Sequence, residues 1–322
     1  MARWGYTMMT EQSPPDQLVR DVRAAEEAGF DFSVSSDHYQ PWLEAQGHAG
    51  YAWSILGAAA QATDEIPLMT YVTCPILRYH PVVVAQKAAT MQILSGGRFR
   101  LGLGSGESLN EHVLGRDLPS VGIRHEMLSK AVAIISGIFD SDGSYNYHGK
   151  HFNVDSAVLW DRPEKRVPIG IAASGETSCR LAGKMGDALV ATDPLPEIVE
   201  MFDEYGGSGK PRIGHIAMAY DTNRDRAFER AHDQFRWFGL GWKVNADLPG
   251  PSSFEAATSF ITPEQVGEQL PCGPDVEEYV QKIRPFLDAG FDEIALVQIG
   301  ADQQTPFFEW AEKELLPTLR EL

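Results

Sequence analysis

The chain has 322 residues, 43% of them hydrophobic and 22% charged, and carries a formal net charge of −18 at pH 7. That acidity argues against nucleic acid or an anionic membrane surface as a partner, since both require a basic face, but a few backbone amides can still hold a small anionic ligand. Three dispersed cysteines with no CxxC pair, no His/Cys/Asp cluster at metal spacing and no apolar run near the ~18 residues of a membrane span lead us to expect a metal-free cytoplasmic protein. The opening MARWGYTMMT also lacks the apolar core of a leader peptide.

In chain order, strands alternate with amphipathic helices. RWGYTM (3–8) reads as a strand, followed by a helix over 14–30 with Pro near its start and Gly near its end. DFSVSSD and IPLMTYVTC are the next strands, separated by the Ala-rich helix AWSILGAAAQAT. A helix over 80–95, the strand RFRLGLG (98–104) and a helix over 122–139 follow. Residues 142–166 interrupt the rhythm with turn residues and alternating aromatics, as a hairpin insertion would. VPIGIAAS, the helix around RLAGKMG, DALVATD, a helix over 194–205, RIGHIAMAYD and a helix over 223–238 restore it. Residues 240–262 read as a second irregular insertion before helix DVEEYVQKIRPFLDAGF, strand DEIALVQIG and a closing helix. Eight apolar strands joined by helical crossovers predict a (β/α)8 TIM barrel, an α/β fold spanning 1–322 as one domain.

In such a barrel the strand C-terminal ends share one mouth, where active sites sit. Those ends carry Glu11, Asp37-His38, Cys74, Gly106-Glu107, Ser174-Gly175, Thr192-Asp193 and Asp221. His38, in SSDHYQPW, is either a capped surface histidine or a base for a hydroxyl proton, a role suited to an imidazole with a carboxylate nearby. The glycines of RLGLGSGESLNEH miss the GxGxxG spacing, so they serve close approach around a loop, with Glu107 and Asn110 as polar neighbours. IAASGETS leads small residues into a helix N-terminus, which is either an ordinary turn or a phosphate site. No GxSxG motif supports a hydrolase.

SSDHYQPW, CPILRYHPVVVAQKAATM, LGLGSGESLNEHVLG and IGIAASGETSCRLAGKMGDALVAT together resemble the F420-dependent branch of the luciferase-like monooxygenase superfamily, in particular its glucose-6-phosphate dehydrogenases. The resemblance covers residues 3–195 and the final helix–strand–helix. It implies coenzyme F420, a deazaflavin, in the barrel mouth, with His38, Glu107, Trp42 and Glu11 as the catalytic set. His38 would be the base and Glu11 its orienting carboxylate, with Trp42 beside the reacting carbon and Glu107 as acid near the ring. Cofactor contacts would come from Asp37, Gly106, Glu107, Asn110, Ala172, Ala173, Ser174, Gly175 and Thr192, and from Tyr71 and Val72, joined by a non-prolyl cis peptide. Because F420 carries hydride and does not readily activate oxygen, the resemblance implies a dehydrogenase or reductase acting on a small molecule. Related barrels also suggest a homodimer.

The sequence departs from the sugar-phosphate enzymes where they hold phosphate. Leu195 and Gln269 stand at two cation positions, Glu268 at a further basic one, and either Lys243 or Asn245 at the last. An uncharged alcohol or sugar-like hydroxyl compound is therefore expected in place of glucose-6-phosphate. An F420H2-dependent reductase, an FMN-dependent monooxygenase and a non-catalytic F420-binding barrel remain alternatives.

Overall fold

The computed structural model describes residues 2–322. Its strands are β1 (Arg3–Met8), β2 (Phe32–Ser35), β3 (Leu68–Thr70), β4 (Phe99–Leu103), β5 (Tyr145–His148), β6 (Asn153–Ala157), β7 (Ile169–Ala172), β8 (Ala188–Val190), β9 (Arg212–Met218) and β10 (Glu293–Gln298). All but β5 and β6 are parallel and close a barrel in the order β1-β2-β3-β4-β7-β8-β9-β10, with β10 returning to β1. β5 and β6 form an antiparallel hairpin within the expected 142–166 insertion.

Helices α1 (Pro15–Glu27), α2 (Ala52–Ala62) and α3 (Pro81–Leu94) follow β1, β2 and β3. β4 leads into α4 (Ser108–Glu111) and α5 (Val121–Asp140), β7 into α6 (Glu176–Met185), and β8 into α7 (Pro196–Phe202). Between β9 and β10 run α8 (Arg224–Phe235), α9 (Trp242–Asn245), α10 (Pro251–Thr258), α11 (Pro263–Gln269) and α12 (Val276–Asp288). α13 (Gln304–Trp310) and α14 (Leu316–Arg320) close the chain. Their ends obey capping chemistry. Pro15 opens α1, and the side chains of Asn223, Thr262 and Asp275 accept the first free amides of α8, α11 and α12. Among the described residues, no helix is long and apolar enough to cross a membrane.

Alternation along the strands sorts side chains into two layers. Trp4, Tyr6 and Met8 face outward into the main core shared with the helices, whereas Phe32, Val34, Met69, Val190, Ile213 and Ala295 fill the barrel. Gly5 is required at its place: a Cβ there would lie 2.4 Å from the Phe32 ring. Glu293 closes the bottom, taking Arg3 Nη1 at 2.8 Å and Arg100 Nη1 at 2.6 Å.

Two sequence expectations need correction. Residues 240–262 are partly helical, because they contain α9 and α10. They pack over a third apolar cluster at the mouth, which includes Trp42, Leu109, Phe235 and Phe254. The helix expected over 194–205 is regular only to Phe202, and Gly206, at φ 97°, breaks the turn that follows.

Candidate active site

β1 and β2 end side by side, with Met8 opposite Ser35, and so bring Glu11 and His38 together. Glu11 is 1% exposed; its Oε2 accepts from Ser36 Oγ and from Thr10 Oγ1, and its Oε1 lies 3.1 Å from His38 Nδ1. That approach does not meet hydrogen-bond geometry, and Nδ1 has no other acceptor. On the other side of the ring, His38 Nε2 is 3.3 Å from Glu107 Oε1. Glu107 Oε1 also accepts from Asn110 Nδ2 at 2.6 Å, and Asn110 Oδ1 takes the Tyr39 amide at 2.7 Å. The imidazole therefore stands between two carboxylates, each held in turn by neighbouring donors.

Asp37 faces away from this relay. Its carboxylate accepts from Trp53 Nε1 (3.1 Å), Thr73 Oγ1 (2.6 Å), Arg78 Nη2 (3.1 Å) and Tyr79 Oη (3.1 Å), and the residue is 2% exposed. Lys87 Nζ sits 3.5 Å from the Tyr79 ring centroid and 5.0 Å from that of Trp53, backing both rings with a cation. Four protein donors converge on this carboxylate, which fixes the end of β2.

A cleft of about 340 Å3 opens above the barrel, within the size range of small-molecule sites. His38, Glu11, Trp42, Glu107, Asp37 and Asn110 line one side. Tyr71, Val72, Gly106, Ala172, Ala173, Ser174 and Thr192 line the rest. Tyr71–Val72 is a non-prolyl cis peptide. Gly104 has no room for a Cβ, which would lie 2.5 Å from Val72 Cγ2, and Gly106 takes φ 77° against Cys74. Gly175 lies just off the cleft as the N-cap of α6, where the Ser174 and Gly175 amides donate to Ser178 Oγ.

Several lining residues were not singled out from the sequence. Trp237 stacks on Trp42 with centroids 4.1 Å apart and planes 9° apart, while Trp42 lies 5.1 Å from the His38 ring. Phe235 and Phe238 flank Trp237 and extend the aromatic wall. The aromatic run QFRWFGL was the available signal. His215 forms part of the floor, its ring 4.7 Å from that of Tyr71 and its Nε2 3.2 Å from Thr7 Oγ1. Burial pushes the His215 imidazole down to about 4, so it is neutral near pH 7. Burial, with Asp193 second, pushes the Tyr71 hydroxyl up. Arg78 is the only arginine or lysine lining the cleft among the described residues, and Asp37 engages it. Leu195, Lys243, Glu268 and Gln269 do not line the cleft; Asn245 does. Among the described residues, no group of His, Cys, Asp or Glu side chains is arranged to hold a metal ion.

The chain is thus a parallel (β/α)8 barrel with a carboxylate-flanked imidazole at its mouth, beside a cleft wall of glycine and alanine residues. The family model for luciferase-like monooxygenases matches residues 2–293, and the chain belongs to that family. It is 34% identical to the F420-dependent glucose-6-phosphate dehydrogenase of Nakamurella multipartita, over 99% of this chain and 97% of that one. Against the enzyme of the same name from Beutenbergia cavernae it is 33% identical, covering 99% and 98%. Among solved structures, an F420-dependent secondary alcohol dehydrogenase in complex with an F420-acetone adduct superposes with a TM-score of 0.89, at 27% identity and 98% coverage of both chains. The coenzyme F420-dependent tetrahydromethanopterin reductase of Methanopyrus kandleri, 20% identical over 98% of this chain and 99% of its own, shares the fold with a TM-score of 0.79.

Proposed function

We propose that this F420-dependent oxidoreductase of the luciferase-like family exchanges hydride with a neutral alcohol–ketone pair and not with a sugar phosphate. The make-up of the cleft carries this reading. Its one arginine is engaged by Asp37, no lysine lines it, and the wall beside His38 is aromatic. A substrate phosphate beside His38 and its aromatic wall would lose its water without meeting a free cation. The solved alcohol dehydrogenase is the relative whose substrate chemistry fits such a wall.

The residues present suit the deazaflavin. Gly104 and Gly106 have no room for a Cβ beside Val72 and Cys74, the short side chains of Ala172, Ala173 and Ala191 leave that side of the cleft open, and the first amides of α6 have no intrahelical acceptor. Val72 and Gly106 would face the ring, Glu107 and Asn110 its polar edge, and Ser174, Thr192 and the α6 N-terminus the phosphate. When bound, the deazaflavin supplies a ring carbon that exchanges hydride with the substrate carbon.

The chain's own groups handle the proton. With the ring proton on Nδ1, beside Glu11, Nε2 accepts the hydroxyl proton as the carbinol carbon loses hydride. The ring is then positive between Glu11 and Glu107, and the 3.3 Å separation lets the proton pass from Nε2 to the Glu107 carboxylate. Trp42 and Trp237 exclude water from the carbon that changes hybridisation. The alcohol gives up one hydride and one proton and leaves as the ketone. Once protonated, the same ring can return its proton to a carbonyl oxygen, so F420H2-dependent ketone reduction is the second reading.

Purified protein mixed with oxidised F420 and a panel of secondary alcohols, followed by loss of the deazaflavin absorbance, tests the proposal. Faster bleaching with a neutral alcohol than with glucose-6-phosphate is expected. Robust turnover of glucose-6-phosphate with none of the alcohols active would refute it. The reverse panel, F420H2 with ketones, reports direction.

A further inference from the structure

Five buried side-chain atoms of cleft-lining residues make no hydrogen bond; His38 Nδ1 lies 3.1 Å from Glu11 Oε1 and Arg78 Nε lies 3.9 Å from Glu111 Oε1, which leaves Asn245 Oδ1 and Trp237 Nε1 with no such partner. Asn245, at the end of α9, lines the cleft and is 3% exposed, and its Oδ1 accepts no hydrogen bond. The indole Nε1–H of Trp237, also on the wall, donates none. Buried amide and indole groups almost always find partners, and leaving one unmade costs the full desolvation of that group. The neighbouring Asn110 is used at both ends of its carboxamide, and Asp37 at both oxygens.

Asn245 is held close to the catalytic groups through the backbone. Its amide donates to Gly241 O at 3.1 Å, and the next carbonyl, Ala246 O, accepts the Ser108 amide at 2.9 Å, one residue from Glu107. Trp237 is fixed by its stack on Trp42. A group that satisfies both residues must accept from an indole N–H and donate to a carboxamide oxygen. A neutral hydroxyl does both. A phosphate or carboxylate cannot donate, and would be desolvated against a carboxamide oxygen with no cation beside it.

We infer that Asn245 and Trp237 form a second polar subsite, and that the natural substrate carries a second neutral hydroxyl besides the one that meets His38, as in a diol or hydroxyketone. This rests on the reading of the chain as an enzyme of alcohols. It names a specificity set by α9, the element standing where a phosphate-binding lysine was an alternative in the sequence.

The test compares kcat/KM for diols of increasing spacing (2,3-butanediol, 2,4-pentanediol and 2,5-hexanediol) with that for the mono-alcohols of the same carbon skeleton. The wild-type protein should prefer one diol by about tenfold, the scale of one well-made hydrogen bond. Asn245→Leu should collapse that ratio, mainly through a higher diol KM. Trp237→Phe, which keeps the stack and removes the N–H, should lower it several-fold and carries the test if the Leu variant does not fold. No preference for any diol, or a preference that survives in the folded variants, overturns the subsite while alcohol oxidation stands. Failure of every alcohol and diol to bleach F420, and of every ketone and hydroxyketone to oxidise F420H2, overturns both.

Discussion

Replacing Asp37 by Asn tests whether the scaffold of the base is built as described. The carboxylate receives four donors, including the guanidinium of Arg78, whose side chain is itself only 9% exposed. An Asn of the same shape keeps one acceptor oxygen and turns an NH2 group toward the remaining donors. Two lost hydrogen bonds to a charged acceptor, at about 1.5–3 kcal/mol each, suggest a destabilisation of about 3–6 kcal/mol. Breaking a buried ion pair independently suggests about 3–5 kcal/mol, and the two figures describe the same loss and do not add. Unfolding entropy of about 2.1 cal/mol/K per residue, over 322 residues, amounts to about 0.7 kcal/mol/K. A loss near 4 kcal/mol therefore lowers the apparent Tm by about 6 °C at a fixed scan rate. Tyr79→Phe removes one donor to the same charged acceptor and should cost about 1.5–3 kcal/mol, or roughly 2–4 °C. Differential scanning calorimetry near pH 7 reads both. An Asp37→Asn variant within about 2 °C of wild type would mean that these donors are satisfied elsewhere and that Asp37 does not anchor β2.

Two further outcomes follow from the site. His38→Asn should lower kcat with the best alcohol by about 10²–10⁴-fold while F420 still quenches tryptophan fluorescence, and a loss under about tenfold would remove His38 as the base. His215, held down at about 4 by burial, makes stability depend on acid. The unfolded imidazole binds its proton below about 6.5, whereas the folded one stays neutral until about 4. Stability is thus present above about pH 6.5 and lost as pH falls toward 4, reaching about 2 kcal/mol by about pH 5. His215→Gln should lose less stability than wild type between about pH 7.5 and pH 5 in urea unfolding, and equal losses would refute the shift.

The eight barrel strands and their crossovers were legible because each short apolar strand is followed by an amphipathic helix, and that rhythm alone predicts the closure. The barrel also converts position in sequence into position in space: a residue just past a strand stands at the mouth. Glu11, His38 and Glu107 could therefore be selected as neighbours although β4 contacts neither β1 nor β2. Within RIGHIAM the rule stops short, because Ile213 faces the barrel and Ile216 faces the helices, so hydrophobicity does not mark which face is inside. His215 shares the inward parity of Ile213, and only the closed barrel reveals it as floor. The wall is harder still. Trp237 follows the end of α8 and Asn245 ends the four-residue α9, and their places depend on a ring stack and a backbone bond to Ser108, contacts that no local periodicity encodes. Asp37 shows the converse limit, since its place just past a strand says nothing of the four donors that the fold brings to its carboxylate. Proton-transfer groups sit on strand ends, where chain order positions them. The groups that select the substrate sit on a segment held by packing, so a chain can keep the first while the second changes.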